Sequence, residues 1–238
     1  MKIPFNKPYS FGNELTYIKE VVDSGKLSGD GVFTKKCQTY FENKYGRDTA
    51  NKMLMEDREQ VIAYSKRSNK AIVDTVETNY MNLLNVNSYQ KGSWVLHMLR
   101  SELGDSVFWK SIRKYYATYA GGIAGTEDLQ KVFEKVSGKN LDQFFRQWLY
   151  TPGQPVLKLK WEYNETSKTI KADVMQLQKQ LFKFPLLIKI DLGEGKSLYK
   201  QVNMTRLSES FTISLNEKPV KLILDPDQSL LFEESKQP

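Results

Sequence analysis

Asn87-Ser88-Tyr89-Gln90-Lys91-Gly92-Ser93-Trp94-Val95-Leu96 starts a helix after a long polar stretch, and the rest of the chain is read outward from it. From Tyr89 onward, Trp94, Val95, Met98, Leu99 and Leu103 recur at spacings of three and four, one face of an α-helix, and Gly104 ends it. Downstream, Asp105 or Ser106 caps a second helix, with Val107, Phe108, Ile112, Tyr115, Tyr116 and Tyr119 expected to face inward and Gly121-Gly122 breaking it. Thr126, followed by the first-turn acids Glu127 and Asp128, opens a third helix that closes at Gly138. Asn140, with Gln143 three residues on, caps a fourth that buries Leu141, Phe144, Phe145, Trp148 and Leu149. Four helices on short links make a helical layer.

Pro152, Gly153 and Pro155 then mark a change of period from helix to strand. Strands are expected from Val156 to Trp161 and over 169–177, 184–192, 196–204, 210–215 and 219–224, with Asp225-Pro226-Asp227 as a turn and Leu230-Leu231-Phe232 as a last short strand. Strands at such spacing predict an antiparallel sandwich.

Upstream of the opening stretch, residues 65–86 are polar and lack either period, which predicts an ordered loop with one helical turn near Tyr80 to Leu84. Residues 50–64 form a mixed amphipathic helix through Met53 or Leu54, Asp57, Val61 and Tyr64, with Asp48 or Thr49 as its cap. Leu15, Ile18, Val21 and Val22 predict an earlier helix stopped by Gly25, and Thr34 caps another through Cys37, Tyr40 and Phe41. The intervening Gly29-Asp30-Gly31 follows no strand, so it reads as a turn rather than a phosphate cradle.

The totals narrow the chemistry. At 238 residues, 40% hydrophobic and 12% aromatic, the chain can build a substantial core. Its net charge of +7 comes from lysines spread along the chain, so a solvated surface is expected rather than nucleic-acid binding. A single cysteine, Cys37, excludes an internal disulfide and a Cys-rich zinc module. No apolar run reaches the roughly 18 residues of a membrane span, and none near Met1 suits a signal peptide, so the expected location is the cytoplasm. The triplets starting at Asn164 and Asn203 match the glycosylation pattern, which has meaning only on a secretory route. His97 is the only histidine, and an H-E-x-x-H zinc helix needs two.

Two resemblances follow from the motifs. Pro4-Phe5-Asn6-Lys7-Pro8, residues 24–31 and Phe33-Thr34-Lys35-Lys36-Cys37 resemble the N-terminal arm of nucleotide-sugar aminotransferases of the TDP-4-keto-6-deoxyhexose type, which use pyridoxal phosphate. That family's cofactor-holding segments lie further downstream, so residues 1–46 inherit no transaminase role. Tyr89-Gln90-Lys91-Gly92, Leu96-His97-Met98-Leu99-Arg100 with Leu103-Gly104-Asp105, Phe108-Trp109, Tyr115-Tyr116, Thr126-x-Asp128-Leu129, Phe144-Phe145-x-Gln147-Trp148-Leu149 and Pro152-Gly153-x-Pro155 resemble the M1 family of zinc aminopeptidases over residues 41–234.

The second resemblance implies an α+β multidomain fold: the helical half of a thermolysin-like catalytic domain over 47–153, then an antiparallel β-sandwich over 154–238. It implies a peptide as substrate and zinc as the family's metal, held by H-E-x-x-H and a later glutamate so that one position stays open for water. Neither metal motif is present, so no residue here is assigned to a metal or cofactor. Tyr89 falls on the family's catalytic tyrosine, whose phenol donates to the oxyanion of the tetrahedral intermediate, a role worth about 3 to 4 kcal/mol.

The remaining candidates are structural in expectation. His97 is a mid-helix histidine, Glu56, Asp57 and Glu59 are solvated, the aromatic series from Phe108 to Tyr119 is core, and Arg100 and Arg146 hold helix ends or loops. The function expected is therefore a partial M1-type aminopeptidase, inactive alone, with a missing N-terminal catalytic half or self-association as its partner. The alternatives are a non-catalytic interaction module or complementing half, and a sugar-nucleotide aminotransferase fragment.

Overall fold

The computed structural model describes residues 12–23, 49 and 51–235. The expectations placed on the Pro4–Pro8 arm, the Gly29–Gly31 turn, the cap at Thr34 and the helix through Cys37 lie outside the described residues.

The chain divides into two compact units, Met1–Lys52 and Met53–Pro238. In the first, helix α1 spans Glu14–Asp23, with Leu15, Ile18 and Val22 exposed. The second opens on helical residues that run to 65 and are called α2. A 3-10 turn follows at Tyr80–Leu83, where the loop was expected to coil, with the Asn79 side chain accepting from the Met81 N–H.

The stretch around Tyr89 differs from a plain α-helix. Asn87–Lys91 is a π-helical turn that continues into α3 (Gly92–Leu103). Gly104 ends α3 at φ 76°, a backbone angle that L side chains rarely adopt, and α4 (Asp105–Tyr119) starts at once. The Asp105 carboxylate does not cap α4. It receives two parallel bonds from Arg100, Nε at 2.7 Å and Nη2 at 2.8 Å, which clasp the helices across the glycine. Tyr116 projects to solvent, contrary to the inward stripe expected, while Phe108 is buried and Tyr115 and Tyr119 are half-buried.

Helix α5 (Thr126–Ser137) starts at Thr126 and closes at Gly138 as expected, and at its N-cap the Gly125 N–H donates to the Asp128 carboxylate at 3.0 Å. The short α6 (Asp142–Phe145) runs into a second π-helical turn, Arg146–Tyr150. The N-cap of α6 is Leu141 rather than the Asn140 expected; Asn140 accepts from the Asp142 N–H at 3.0 Å from one position earlier, and Gln143 turns to the Gln147 side chain instead of completing a box.

Seven strands follow: β1 (Val156–Asn164), β2 (Thr169–Gln176), β3 (Phe184–Gly193), β4 (Lys196–Met204), β5 (Ser208–Ser214), β6 (Lys221–Leu224) and β7 (Glu233–Glu234). They form sheets of order β5-β2-β1-β7 and β4-β3-β6. Every pair is antiparallel except β1 with β7, which is parallel. The architecture is α+β.

The expected strand at Leu230-Leu231-Phe232 does not form, although all three side chains are buried. Their backbone groups are taken by side chains rather than by a neighbouring strand. Leu230 N–H donates to Asp225, Leu231 N–H to the Met98 sulfur, and the Phe232 carbonyl accepts from Arg58.

One apolar cluster joins helices and sheets: Val61, Trp94, Phe133, Phe145 and Trp148 pack with Leu157, Phe182, Leu186 and Phe232. A second, smaller cluster of Ile170, Ile190 and Leu215 fills the far end of the sandwich. The helical layer is thus seated on the sandwich through shared core, and this fixes the turn that carries Tyr89.

Candidate functional site

Tyr89 sits at the middle of the Asn87–Lys91 π turn, and its side chain is 59% exposed. The residues two positions either side, Asn87 and Lys91, are buried. Asn87 Nδ2 donates to the Lys70 carbonyl at 2.8 Å and to the Ala71 carbonyl at 3.4 Å. Lys91 Nζ donates to the Gly153 carbonyl at 2.8 Å and to the Thr151 carbonyl at 3.4 Å. The turn is therefore pinned from beneath at both ends, to two different loops, with the tyrosine between them on the outer side.

Widening the helix by one residue per turn re-aims side chains, which is why such turns recur at functional positions. Here positions 87 and 91 share the inward face of the turn. Burial lowers the Lys91 pKa to about 8. No carboxylate contributes to that shift, and the carbonyls that receive the ammonium follow directly on the second π turn.

The loop before the turn is itself ordered by local bonds. Lys70 bridges Glu77 at 2.7 Å and Asp74 at 3.1 Å, and the Val73 N–H donates to the Leu149 carbonyl at 2.9 Å. Hydrogen bonds to Glu77 and Asp74 hold the Lys70 pKa above its ordinary value. Ser88 Oγ donates to the Leu83 carbonyl, tying the 3-10 turn to the π turn.

His97 packs edge-on to Trp94 and its Nε2 lies 2.8 Å from the Gln228 carbonyl, a structural placement. Arg146 pairs with Asp142 one turn earlier in the same helical run, whereas Arg100 pairs with Asp105 across the α3–α4 junction. Arg58, which the sequence reading passed over, is buried, donates from Nε to the Phe232 carbonyl at 2.6 Å and stacks 3.8 Å from the Phe232 ring centre. Gln147, named in a motif but given no role, accepts from the Lys183 N–H at 2.6 Å and donates to the Lys183 carbonyl at 3.1 Å, strapping the second π turn to the approach of β3.

A separate cleft of about 320 Å³ lies between α3, α6 and the β3–β4 edge, floored by Met98, Phe144, Trp148 and Met204 and rimmed by Glu102 and Lys183. Tyr89 does not line it.

With this geometry in view, comparison with known proteins is specific. Residues 32–148 match the peptidase family M1 domain. That span starts within the stretch likened to the aminotransferase arm, a likeness that no comparison supports, and it takes in Tyr89, the first π turn, all four helices of the layer and the start of the second π turn. Aminopeptidase N of Escherichia coli is 28% identical over 167 residues, 63% of this chain and 19% of the relative. Aminopeptidase M1-C of Oryza sativa subsp. japonica is 41% identical over 73 residues, 31% of this chain and 8% of the relative. The structure of Legionella pneumophila aminopeptidase A in complex with aspartic acid superposes with a TM-score of 0.62 at 18% identity, over 76% of this chain and 22% of that one. The chain spans about a fifth or less of the length of these proteins.

The M1 likeness raises the question of zinc. Among the described residues no three His, Cys, Asp or Glu side chains converge as a metal site requires. Likewise, no helix among the described residues is long and apolar enough to cross a membrane.

Proposed function

We propose that this chain is a partial M1-type aminopeptidase, contributing the tyrosine-bearing wall of a peptide-hydrolysing site and hydrolysing nothing by itself. The observation that carries this reading is the placement of Tyr89: outward-facing on a π turn, within a segment similar to M1 aminopeptidases. A phenol held there can donate a hydrogen bond to the oxyanion that forms when water attacks a peptide carbonyl. On this reading the activating metal is held by a second polypeptide, and no step here runs through it.

Exposed apolar side chains favour completion by a second polypeptide. Val76, Tyr80, Met81 and Leu84, on the segment leading into the Tyr89 turn, are all more than half exposed. The partner fitting this face is the zinc-bearing part of an M1 catalytic domain, with self-association as the competing use of the same surface. The domain division proposed is residues 47–153 for the helical remnant and 154–238 for the sandwich.

Mixing the chain with a zinc-bearing N-terminal M1 fragment tests the reading. Aminoacyl-anilide turnover that appears only in the mixture, and is lost with Tyr89→Phe, is the expected outcome. Turnover that survives Tyr89→Phe unchanged refutes it.

A further inference from the structure

The π turn has a second chemical feature besides its tyrosine. Lys91 is 1% exposed, yet it carries an ammonium group whose bonds run to backbone carbonyls at Gly153 and Thr151. Burying a cation without a counter-charge costs several kcal/mol, and a hydrocarbon side chain of the same length would fill the space without that cost. What the ammonium adds is direction: its donors fix the distance between the π turn and the 151–153 loop. Asn87 does the same on the opposite side, where its amide fixes the distance to the 70–71 backbone. Tyr89 lies midway between these two anchors.

We propose that Lys91, acting with Asn87, is a positioning residue that holds Tyr89 in its outward orientation by clamping both ends of the π turn. This rests on the reading of Tyr89 as the oxyanion donor. Neither Lys91 nor Asn87 touches substrate; both act through the tyrosine. The ionisable side chains on the elements that enclose Lys91 are Tyr89 on its own turn, His97, Arg100 and Glu102 on α3, and Arg146 and Tyr150 on the second π turn. Burial brings the Lys91 titration down to about 8, so the clamp changes charge within a pH range that a probe on Tyr89 can follow.

The test uses the full chain with ring-¹³C-labelled tyrosine, the Tyr89 resonance being assigned by its disappearance in Tyr89→Phe. Between pH 6 and 9.5 that resonance is expected to shift in a step centred near 8, and to lose the step in Lys91→Met. Lys91→Arg, charged throughout the range, is expected to lose it as well. A wild-type Tyr89 resonance that stays fixed from pH 6 to 9.5 overturns the proposal, and so does a step that persists in either variant. The wild-type titration decides the matter even where Lys91→Met does not fold. The two readings fail separately. A missing step beside Tyr89-dependent turnover in the mixture removes the clamp alone, whereas a step beside turnover indifferent to Tyr89→Phe removes the catalytic role and leaves the coupling.

Discussion

Replacing Arg58 by alanine is expected to destabilise the second unit by about 3 kcal/mol. The side chain is 8% exposed, its Nε lies 2.6 Å from the Phe232 carbonyl, and its guanidinium stacks 3.8 Å from the Phe232 ring centre. A hydrogen bond from a charged donor contributes about 1.5 to 3 kcal/mol and a desolvated cation–π contact about 2 kcal/mol. Truncation also leaves a buried carbonyl unpaired, at about 1 to 3 kcal/mol. Against these stands the recovered desolvation of the guanidinium, the same burial that lowers its pKa despite the opposing fields of Asp225 and Glu234. The balance is about 3 kcal/mol. With a urea slope of about 2 kcal/mol/M, the midpoint of unfolding followed by tryptophan fluorescence should fall by about 1.5 M. Arg58→Lys keeps the charge but loses the planar stack, and should recover less than half of that loss. An Arg58→Ala midpoint within about 0.25 M of wild type would refute the reasoning, since it would mean that the 230–232 segment holds its place without the arginine.

Other expectations concern pH and the helix–sheet contact. Lys91 binds its proton less tightly folded than unfolded, so between pH 8 and 10.5 the unfolded chain carries the extra proton and stability rises with pH. Unfolding free energies from urea titrations at pH 7.5 and 9.5 should differ by about 2 kcal/mol in favour of the higher pH, and the gain should vanish in Lys91→Met. Glu209 runs the other way. Hydrogen bonds from Arg206 and Thr205 depress its pKa to about 2, so its contribution is present above the ordinary carboxylate range and is lost as pH falls toward 2, an acid dependence that Glu209→Gln should flatten. Gln147→Leu removes both bonds to the Lys183 backbone and should cost about 2 kcal/mol, read as a lowered thermal midpoint.

Much of this architecture was legible in the residues. The 3.6-residue stripes of Trp94, Val95, Met98 and Leu99, and of Leu141, Phe144, Phe145 and Trp148, are all buried. Strands β2 to β6 fall within two residues of the bounds expected, and β1 starts at Val156 as expected but runs on to Asn164. Less visible were features made by contacts distant in sequence. The helical segment beginning near Tyr89 is a π turn whose Asn87 and Lys91 reach loops at 70–71 and 151–153, contacts that local periodicity cannot reveal. A signal was nevertheless present: Lys91 stands three and four residues before Trp94 and Val95, on the apolar stripe, where a lysine must be buried and bonded. Gln147, three residues after Phe144, offers the same clue. The segment 230–232 reads as a strand by composition, yet its backbone partners are Arg58, Met98 and Asp225, side chains that no local pattern brings together.

The central claim is that this chain supplies the tyrosine wall of an aminopeptidase site and not its metal wall. Metal analysis of the purified chain, after loading with excess zinc and exhaustive dialysis, tests it most directly. The expected result is far less than one zinc per chain. One tightly held zinc per chain, accompanied by aminoacyl-anilide turnover without any partner, would contradict it.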